Sequence, residues 1–465
     1  MTTLPSNPPS NPTAPSTTSS NPPSHPTLPS NPITPPHSNL PPYLNLIAHT
    51  ITKRGLRGWL LRELARSFED ARKNKRSTHN EHDFEIRWAY FIRNLTSAVL
   101  EQSYHPSASI AFIVFDPKIR EIFAAPFIDR IIHHFLFRMQ SPWWDRRLIY
   151  DSYSCRLKKG TLFGAQRIQK MMQRATEGGT KEAMYIKLDL QGYFMSLDRK
   201  KLFQHIDHGL MNQYAPYFKN KSVYLLYQLC RFLWRVTLLD SPASTARRRG
   251  PLKNWKHLPY YKSLFTQTQG LGIVIGNLTS QLVSNIYLDQ LDRYIRFELG
   301  YQYYGRYVDD FIIIVPKEKY KQAKKDVIKI EHYLKSLNLN LHHDKRQMQS
   351  VYKGLTFLGI RITPFCLFPS TRIQKHFEGA IKGLGAGRTK DATINSYFGF
   401  LVHLDADKYV SRIFRKYGIN PALWKEWCLP KKKLTRRKSA IIAEMRREAR
   451  KYYHKNKTKP KNNIQ

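Results

Sequence analysis

The 465-residue sequence predicts an α+β protein preceded by a tail without regular structure. Three observations carry the prediction. Apolar residues recur at helical spacing over residues 55–100 and again from Gln374 onward. Between these regions lie short apolar runs of strand length, at residues 109–123, Met184–Leu190, Tyr303–Val315 and Gly354–Ile362. The first 42 residues hold half of the 28 prolines and no Lys, Arg, Asp or Glu.

Ser-Asn-Pro recurs in that tail at Ser6–Pro8, Ser10–Pro12, Ser20–Pro22 and Ser30–Pro32. Each proline removes a backbone donor and fixes φ, so neither helix nor sheet propagates. The stretch reads as disordered and partly polyproline II, either a spacer or a peptide ligand. The folded part starts near Tyr43. Leu60, Leu61, Leu64 and Phe68 make one helical stripe; Trp88, Phe91, Ile92 and Leu95 make another. Residues 109–123 (SIAFIVFDPKIREIF) read as a hairpin around a Pro-centred turn. Ile128–Gln140 and Thr161–Arg174 read as helices, and Met184–Leu190 as a strand. Asp198 is placed to cap a helix running through Ile206. Residues 240–268 are a basic, turn-rich insertion containing Arg247–Arg249 and Trp255. Thr279–Phe297 and Tyr320–Leu337 read as helices flanking a hairpin at Tyr303–Val315, with its turn around Val308–Asp310; Gly354–Ile362 reads as one more strand. Further on, Ile394, Tyr397, Phe398, Leu401 and Leu404 form a helix face. Residues 431–465 hold fourteen Lys/Arg and two Glu. There Ile441, Ile442, Met445, Ala449 and Tyr452 form a stripe with Arg446, Arg447, Arg450 and Lys451 off it, which suits either a docked basic helix or a solvated tail.

The formal net charge is +42, all of it on residues 43–465. An excess so large and of one sign argues against a small-molecule enzyme with a neutral surface and for a polyanionic partner, foremost nucleic acid. The 41% apolar and 13% aromatic content separates the chain from an extended basic protein. Cys155, Cys230, Cys366 and Cys428 are far apart and form no CxxC pair. That points away from zinc or a disulfide framework and toward a reducing, cytoplasmic setting. No run approaches a membrane span, and no secretory signal opens the chain.

Three carboxylates stand out against this background. Asp189 lies inside the apolar strand Tyr-Ile-Lys-Leu-Asp-Leu, and Asp309 and Asp310 precede the apolar run Phe311–Val315. A charge in or beside a buried strand costs several kcal/mol unless it is paired or binds a metal. Two adjacent Asp also repel each other, and a divalent cation resolves that repulsion; oxygen ligands suit Mg²⁺. An Asp-Asp pair at a hairpin tip also has a plainer explanation, a solvated turn with a local side-chain bond.

The motifs carry a resemblance. Tyr307-Val308-Asp309-Asp310 resembles the Tyr-x-Asp-Asp motif of reverse transcriptases, and Leu188–Asp198 (LDLQGYFMSLD) resembles the partner motif on their first palm strand. The order and the spacing of about 120 residues also match, and the resemblance extends over roughly residues 105–417. It implies a right-hand polymerase with fingers (109–180), a ferredoxin-like palm (181–365, with the insertion 240–268) and a helical thumb (366–430). An N-terminal helical region (43–108) and a basic tail (431–465) flank them. Asp189, Asp309 and Asp310 would be the catalytic carboxylates and, with the backbone carbonyl of Leu190, would hold two Mg²⁺ ions, Mn²⁺ being a possible substitute. Phe194 would sit beneath the incoming sugar and exclude a 2′-hydroxyl, or simply pack in the core. Lys118 and Arg120 would clamp the triphosphate, or be solvated turn charges. Lys345 would bind the nucleotide. Arg130, Arg156 and Tyr307 would touch template or primer, and Phe357-Leu358-Gly359 would form the strand behind the primer end, with Gly359 allowing close backbone approach.

Ile275-Gly276-Asn277-Leu278-Thr279-Ser280-Gln281 resembles the form found in diversity-generating retroelements, whose enzymes copy a template RNA with errors at adenines. Ile275, Gly276 and Gln281 would then lie near the nucleotide. Arg120–His134, Tyr153–Gly160 and Asn395–Gly399 resemble that group as well. The implied partners are a template RNA, the RNA/DNA duplex, dNTPs and a small basic helical accessory protein, with no membrane. Antiviral-defence or abortive-infection enzymes and retron or group II-like enzymes are the alternatives within the family. A catalytically idle RNA-binding scaffold is the alternative of another class.

Overall fold

The structure, a computed structural model, describes residues 42–73, 84–116, 118–240, 242–429 and 438–457. The Pro-rich tail and the outer parts of the basic C-terminal segment lie outside the described residues.

The chain is α+β. Helices α1 (Pro42–Arg72) and α2 (Trp88–Leu100) lead into a hairpin of β1 (Ile110–Val114) and β2 (Arg120–Ala124). Gly55 breaks α1, its φ of 70° lying outside the helical range. Helix α3 (Phe127–Arg147) and helix α4 (Thr161–Ala175) precede strand β3 (Ala183–Asp189). Helices α5 (Arg199–Tyr214) and α6 (Lys221–Leu239) follow, and the side chain of Asp198 caps α5 by accepting from the Lys201 N–H at 2.9 Å. The segment 240–268 is not a detached insertion. Its short strand β4 (Arg247–Arg248) pairs parallel with β1, making the first sheet β2-β1-β4.

Helix α7 (Leu278–Arg293) then leads to β5 (Tyr304–Tyr307), β6 (Asp310–Pro316), α8 (Tyr320–Ser336) and β7 (Gln347–Ser350). The central sheet has the order β5-β6-β3-β7, antiparallel throughout. Its inner strands are buried on both faces, which is why β6 reads as an unbroken apolar run. Alternation sorts its residues between two cores. Phe311, Ile313 and Val315 join the core of α1–α3 and α5–α8. Ile312 and Ile314 join the core shared by α4 and the C-terminal helices. In β3, Ile186 and Leu188 face the first core and Tyr185 the second.

The single strand expected over Gly354–Ile362 is two strands. β8 (Leu355–Phe357) and β9 (Ile360–Ile362) form a hairpin that β10 (Leu367–Pro369) extends. Leu358 and Gly359 both have positive φ, 56° and 82°, as a two-residue type I′ turn requires. The C-terminal region is helical: α9 (Thr371–Gly385), α10 (Asp391–Leu401), α11 (Asp407–Lys416), α12 (Ala422–Cys428) and α13 (Lys438–Lys457). α13 is docked, not splayed: Ile441, Ile442, Met445 and Ala449 are buried in the second core. A side chain at Gly385 would meet the Ala449 carbonyl at 2.7 Å, so a glycine lets α9 and α13 approach. Among the described residues no helix is long and apolar enough to cross a membrane.

Candidate active site

The two inner strands of the central sheet bring the acidic residues together. Asp189 and Asp310 are direct partners at the end of the β3–β6 ladder. Asp309 sits in the two-residue turn between β5 and β6, where Tyr307 pairs with Asp310. Val308, the other turn residue, has φ 55°, a conformation that costs a β-branched side chain about 1–3 kcal/mol.

Two anchors hold this turn. The Leu190 N–H donates to the Asp309 carbonyl at 3.3 Å, joining the turn to the end of β3. From beneath, the Arg306 guanidinium donates to the Val308 carbonyl at 3.0 Å. Arg306 is in turn bidentate to Asp292, at 2.7 and 2.6 Å, with both side chains fully buried. The Tyr304 hydroxyl donates to Asp292 at 2.6 Å, and Asn285 Oδ1 accepts from Arg306 at 3.3 Å. A buried pair whose remaining donors are satisfied is a rigid support, because either partner left alone would be a bare charge in low dielectric.

The electrostatics of the carboxylates follow from their crowding. Burial, then the charges of Asp189 and Asp310, push Asp309 up to about 6. Burial also raises Asp310, with Lys187 opposing the shift. Asp310 Oδ1 is buried without a hydrogen-bond partner, Lys187 Nζ lying 3.6 Å away. Lys345 Nζ donates to Asp189 Oδ1 at 2.8 Å.

A cavity of about 570 Å³ opens over these groups. The central sheet contributes Asp189, Leu190, Tyr307, Asp309 and Asp310, and Lys345 and Phe194 stand beside them. The β1–β2 hairpin contributes Lys118 and Arg120. Ile275, Gly276 and Gln281 complete the wall. Gly276 is required by space: at φ 135°, a Cβ there would lie 2.4 Å from the Phe123 carbonyl, while the Phe123 N–H donates to the Ile275 carbonyl at 2.9 Å.

A protein-family model described as "Reverse transcriptase (RNA-dependent DNA polymerase)" matches residues 118–362, more than half the chain. The chain belongs to this reverse transcriptase family. No curated protein sequence matches it. Among solved structures it is similar to telomerase from Candida tropicalis truncated from its C-terminal domain, at 13% identity and TM-score 0.37, covering 61% of this chain and 60% of that one. It is also similar to Candida albicans telomerase in complex with a TWJ fragment of telomeric RNA, at 12% identity and TM-score 0.38, covering 78% and 62%. This reverse transcriptase therefore spans less than two thirds of the length of these solved chains.

Three residues singled out from the sequence do not line the cavity. Arg156 is spent internally: it donates to Asp145 Oδ1 at 2.6 Å and to the carbonyls of Ile149, Ser152 and Asp145, and its side chain is 6% exposed. Its donors are thereby engaged within the protein. Arg130 donates to the Ala125 carbonyl at 2.9 Å on the first turns of α3. Gly359 serves its turn, and its nearest protein neighbour is a side chain, Ile373, 3.4 Å from where a Cβ would lie. Leu358, beside it, does reach the cavity. Sequence reasoning missed other lining residues: Ser154, Cys155, Tyr261, Lys262 and His342. Of these, only Tyr261-Lys262 carried a visible signal, a cation beside an aromatic in a basic segment.

Reverse transcriptases use divalent metal, and the residues here suit it. Asp189, Asp309 and Asp310 supply hard oxygen donors, and Asp310 Oδ1 is an orphaned buried acceptor. Among the described residues no group of three or more His, Cys, Asp or Glu is closed around a common point. Lys345 donates to one oxygen of this set, Asp189 Oδ1.

Proposed function

We propose that this reverse transcriptase is an RNA-directed DNA polymerase that copies a template RNA into cDNA. The observation that carries the reading is the convergence of Asp189, Asp309 and Asp310 with Lys118, Arg120 and Phe194 on one cavity. The three aspartates would hold two Mg²⁺ ions, with Mn²⁺ able to substitute. Bound there, the metal supplies activation of the primer 3′-hydroxyl and charge neutralisation at the departing pyrophosphate. Lys118 and Arg120 bind the triphosphate of the dNTP, and Phe194 restricts the space under its sugar. Lys345, beside Asp189, binds the nucleotide as well. Primer extension on an RNA template with Mg²⁺ tests this. Asp309→Ala should abolish extension while leaving the melting temperature near that of wild type. Activity that persists removes the catalytic assignment, and a wild type inactive with every template supports an idle RNA-binding scaffold instead.

Within the family, the reading we favour is the error-prone enzyme of a diversity-generating retroelement, acting in the cytoplasm with a template RNA and a small basic accessory protein. Its support is Ile275-Gly276 and Gln281, which line the nucleotide cavity. Ile275 keeps shape where an amide would add a hydrogen bond, so discrimination at the templating base would be loose. Ile275→Gln should lower misincorporation opposite adenine several-fold in a sequenced extension assay; an unchanged adenine error removes this reading and leaves the defence, retron and group II-like alternatives.

A further inference from the structure

The segment 240–268 belongs to the nucleotide site. Two of its residues, Tyr261 and Lys262, line the cavity that holds the aspartates, Lys118 and Arg120. Three independent contacts fix them there. Glu121 on β2 is fully buried and accepts from Trp255 Nε1 at 2.7 Å, Ser263 Oγ at 2.9 Å and the Leu264 N–H at 2.6 Å. Two of those donors directly follow Lys262 in the chain, so the carboxylate clamps the segment at the point where it enters the cavity. On the other side, Gly192, at φ 58°, lies so close to the Tyr261 carbonyl that an added Cβ would be 2.9 Å from it. The loop between Asp189 and Phe194 is thus packed against the segment's backbone. Farther along, β4 completes the β1–β2 sheet.

The charges in the cavity are divided. Lys345 is ion-paired with Asp189. Lys118, Arg120 and Lys262 form no ion pair among the described residues. Lys262 is exposed, with its Nζ 5.5 Å from the Tyr261 ring centroid, a contact that orients it without neutralising it. Unneutralised cations focused on one concave site attract a polyanion such as a polyphosphate.

We propose that Lys262 is a third cationic ligand of the incoming dNTP triphosphate, delivered to the site by the strap 240–268 and held by Glu121. The inference rests on the polymerase reading and deepens it. The test compares the full-length wild type with Lys262→Ala, Lys262→Arg and Lys253→Ala, the last removing a cation of the same strap that does not line the cavity. Two readouts are taken: the dNTP KM in primer extension, and the rise in melting temperature on adding dGTP with Mg²⁺. Lys262→Ala should raise KM about tenfold, as loss of one charge-assisted phosphate contact does, with the effect on KM and not on kcat. It should also shrink the dGTP-induced shift. Lys262→Arg should restore both values, and Lys253→Ala should match wild type. If wild type extends primers and Lys262→Ala has its KM and its dGTP shift, this inference falls alone. A rise in the Kd for primer–template with KM unchanged also overturns it, assigning Lys262 to the nucleic-acid strand. If wild type neither extends primers nor responds to dGTP, the polymerase reading falls and takes this one with it.

Discussion

The central sheet and the first sheet each hold a stretch of active-site backbone with a buried charge, but in opposite ways. Under the Val308–Asp309 turn the charge is half of a pair, Arg306 with Asp292, and the buried site is neutral. Under the strap the charge stands alone: Glu121 has no cation among its hydrogen-bond partners and is held by an indole, a hydroxyl and a backbone N–H. A pair is stiff because removing either member exposes the other in low dielectric, whereas a lone carboxylate bonded by neutral donors can be neutralised without leaving a bare opposite charge. Breaking the pair should thereby cost more than neutralising Glu121.

The sharpest way to break the comparison is at the pair. Arg306→Met leaves Asp292 buried and unpaired and also frees the strained Val308 carbonyl, so unfolding free energy should fall by about 3–5 kcal/mol. Chemical denaturation measures it. Arg306→Lys should recover only part, because an ammonium cannot reproduce the fork that grips Asp292. A loss below about 1 kcal/mol for Arg306→Met would mean that the turn does not depend on the pair.

The corresponding change in the strap should be milder. Glu121→Gln keeps the shape and removes the charge, but its amide offers one acceptor oxygen in place of two, leaving one of three donors unsatisfied. A cost of about 1–3 kcal/mol follows. The dNTP KM should rise with it, because Tyr261 and Lys262 are seated by the same contacts. Stability lost with KM unchanged would separate the strap's fold from its part in the site.

These two anchors also mark what was and was not legible in the sequence. The strands β3 and β6 announce themselves because both of their faces are buried and almost every residue is apolar. Asp189, Asp309 and Asp310 are conspicuous for the same reason, as charges at the ends of such runs. Arg306, Asp292 and Glu121 are not, since in a chain this rich in charge a buried Arg or Glu looks like any surface residue. Arg306 and Asp292 lie fourteen residues apart, and Glu121 lies more than 130 residues from each of its donors. Only the tertiary fold brings them together. The strap reads from sequence as a basic, turn-rich insertion because its pairing with β1 involves just two residues, Arg247 and Arg248, too short for a strand pattern. Arg156 failed in the other direction: a cation in a motif suggested nucleic acid, but the carbonyls at the end of α3 and just beyond it consume its donors. The split of Gly354–Ile362 turned on Leu358, a residue whose side chain gives no sign that it takes a positive φ.

The smallest stability effect is expected where charge is merely displayed. Helix α13 buries Ile441, Ile442 and Met445 and turns Arg447, Arg450 and Lys451 outward. Among the described residues Arg447 has an ion partner in Glu444, at 3.9 Å, and exposed pairs of this kind contribute little to folding. Replacing all three by Gln should change unfolding free energy by less than about 0.5 kcal/mol, in contrast to either buried anchor. If the face contacts a phosphate backbone, the slope of log K against log salt for RNA binding should become shallower by roughly 2–3. The dNTP KM should stay unchanged, since the face lines no part of the cavity over the aspartates. An unaltered salt slope would leave α13 as a packing element of the C-terminal core.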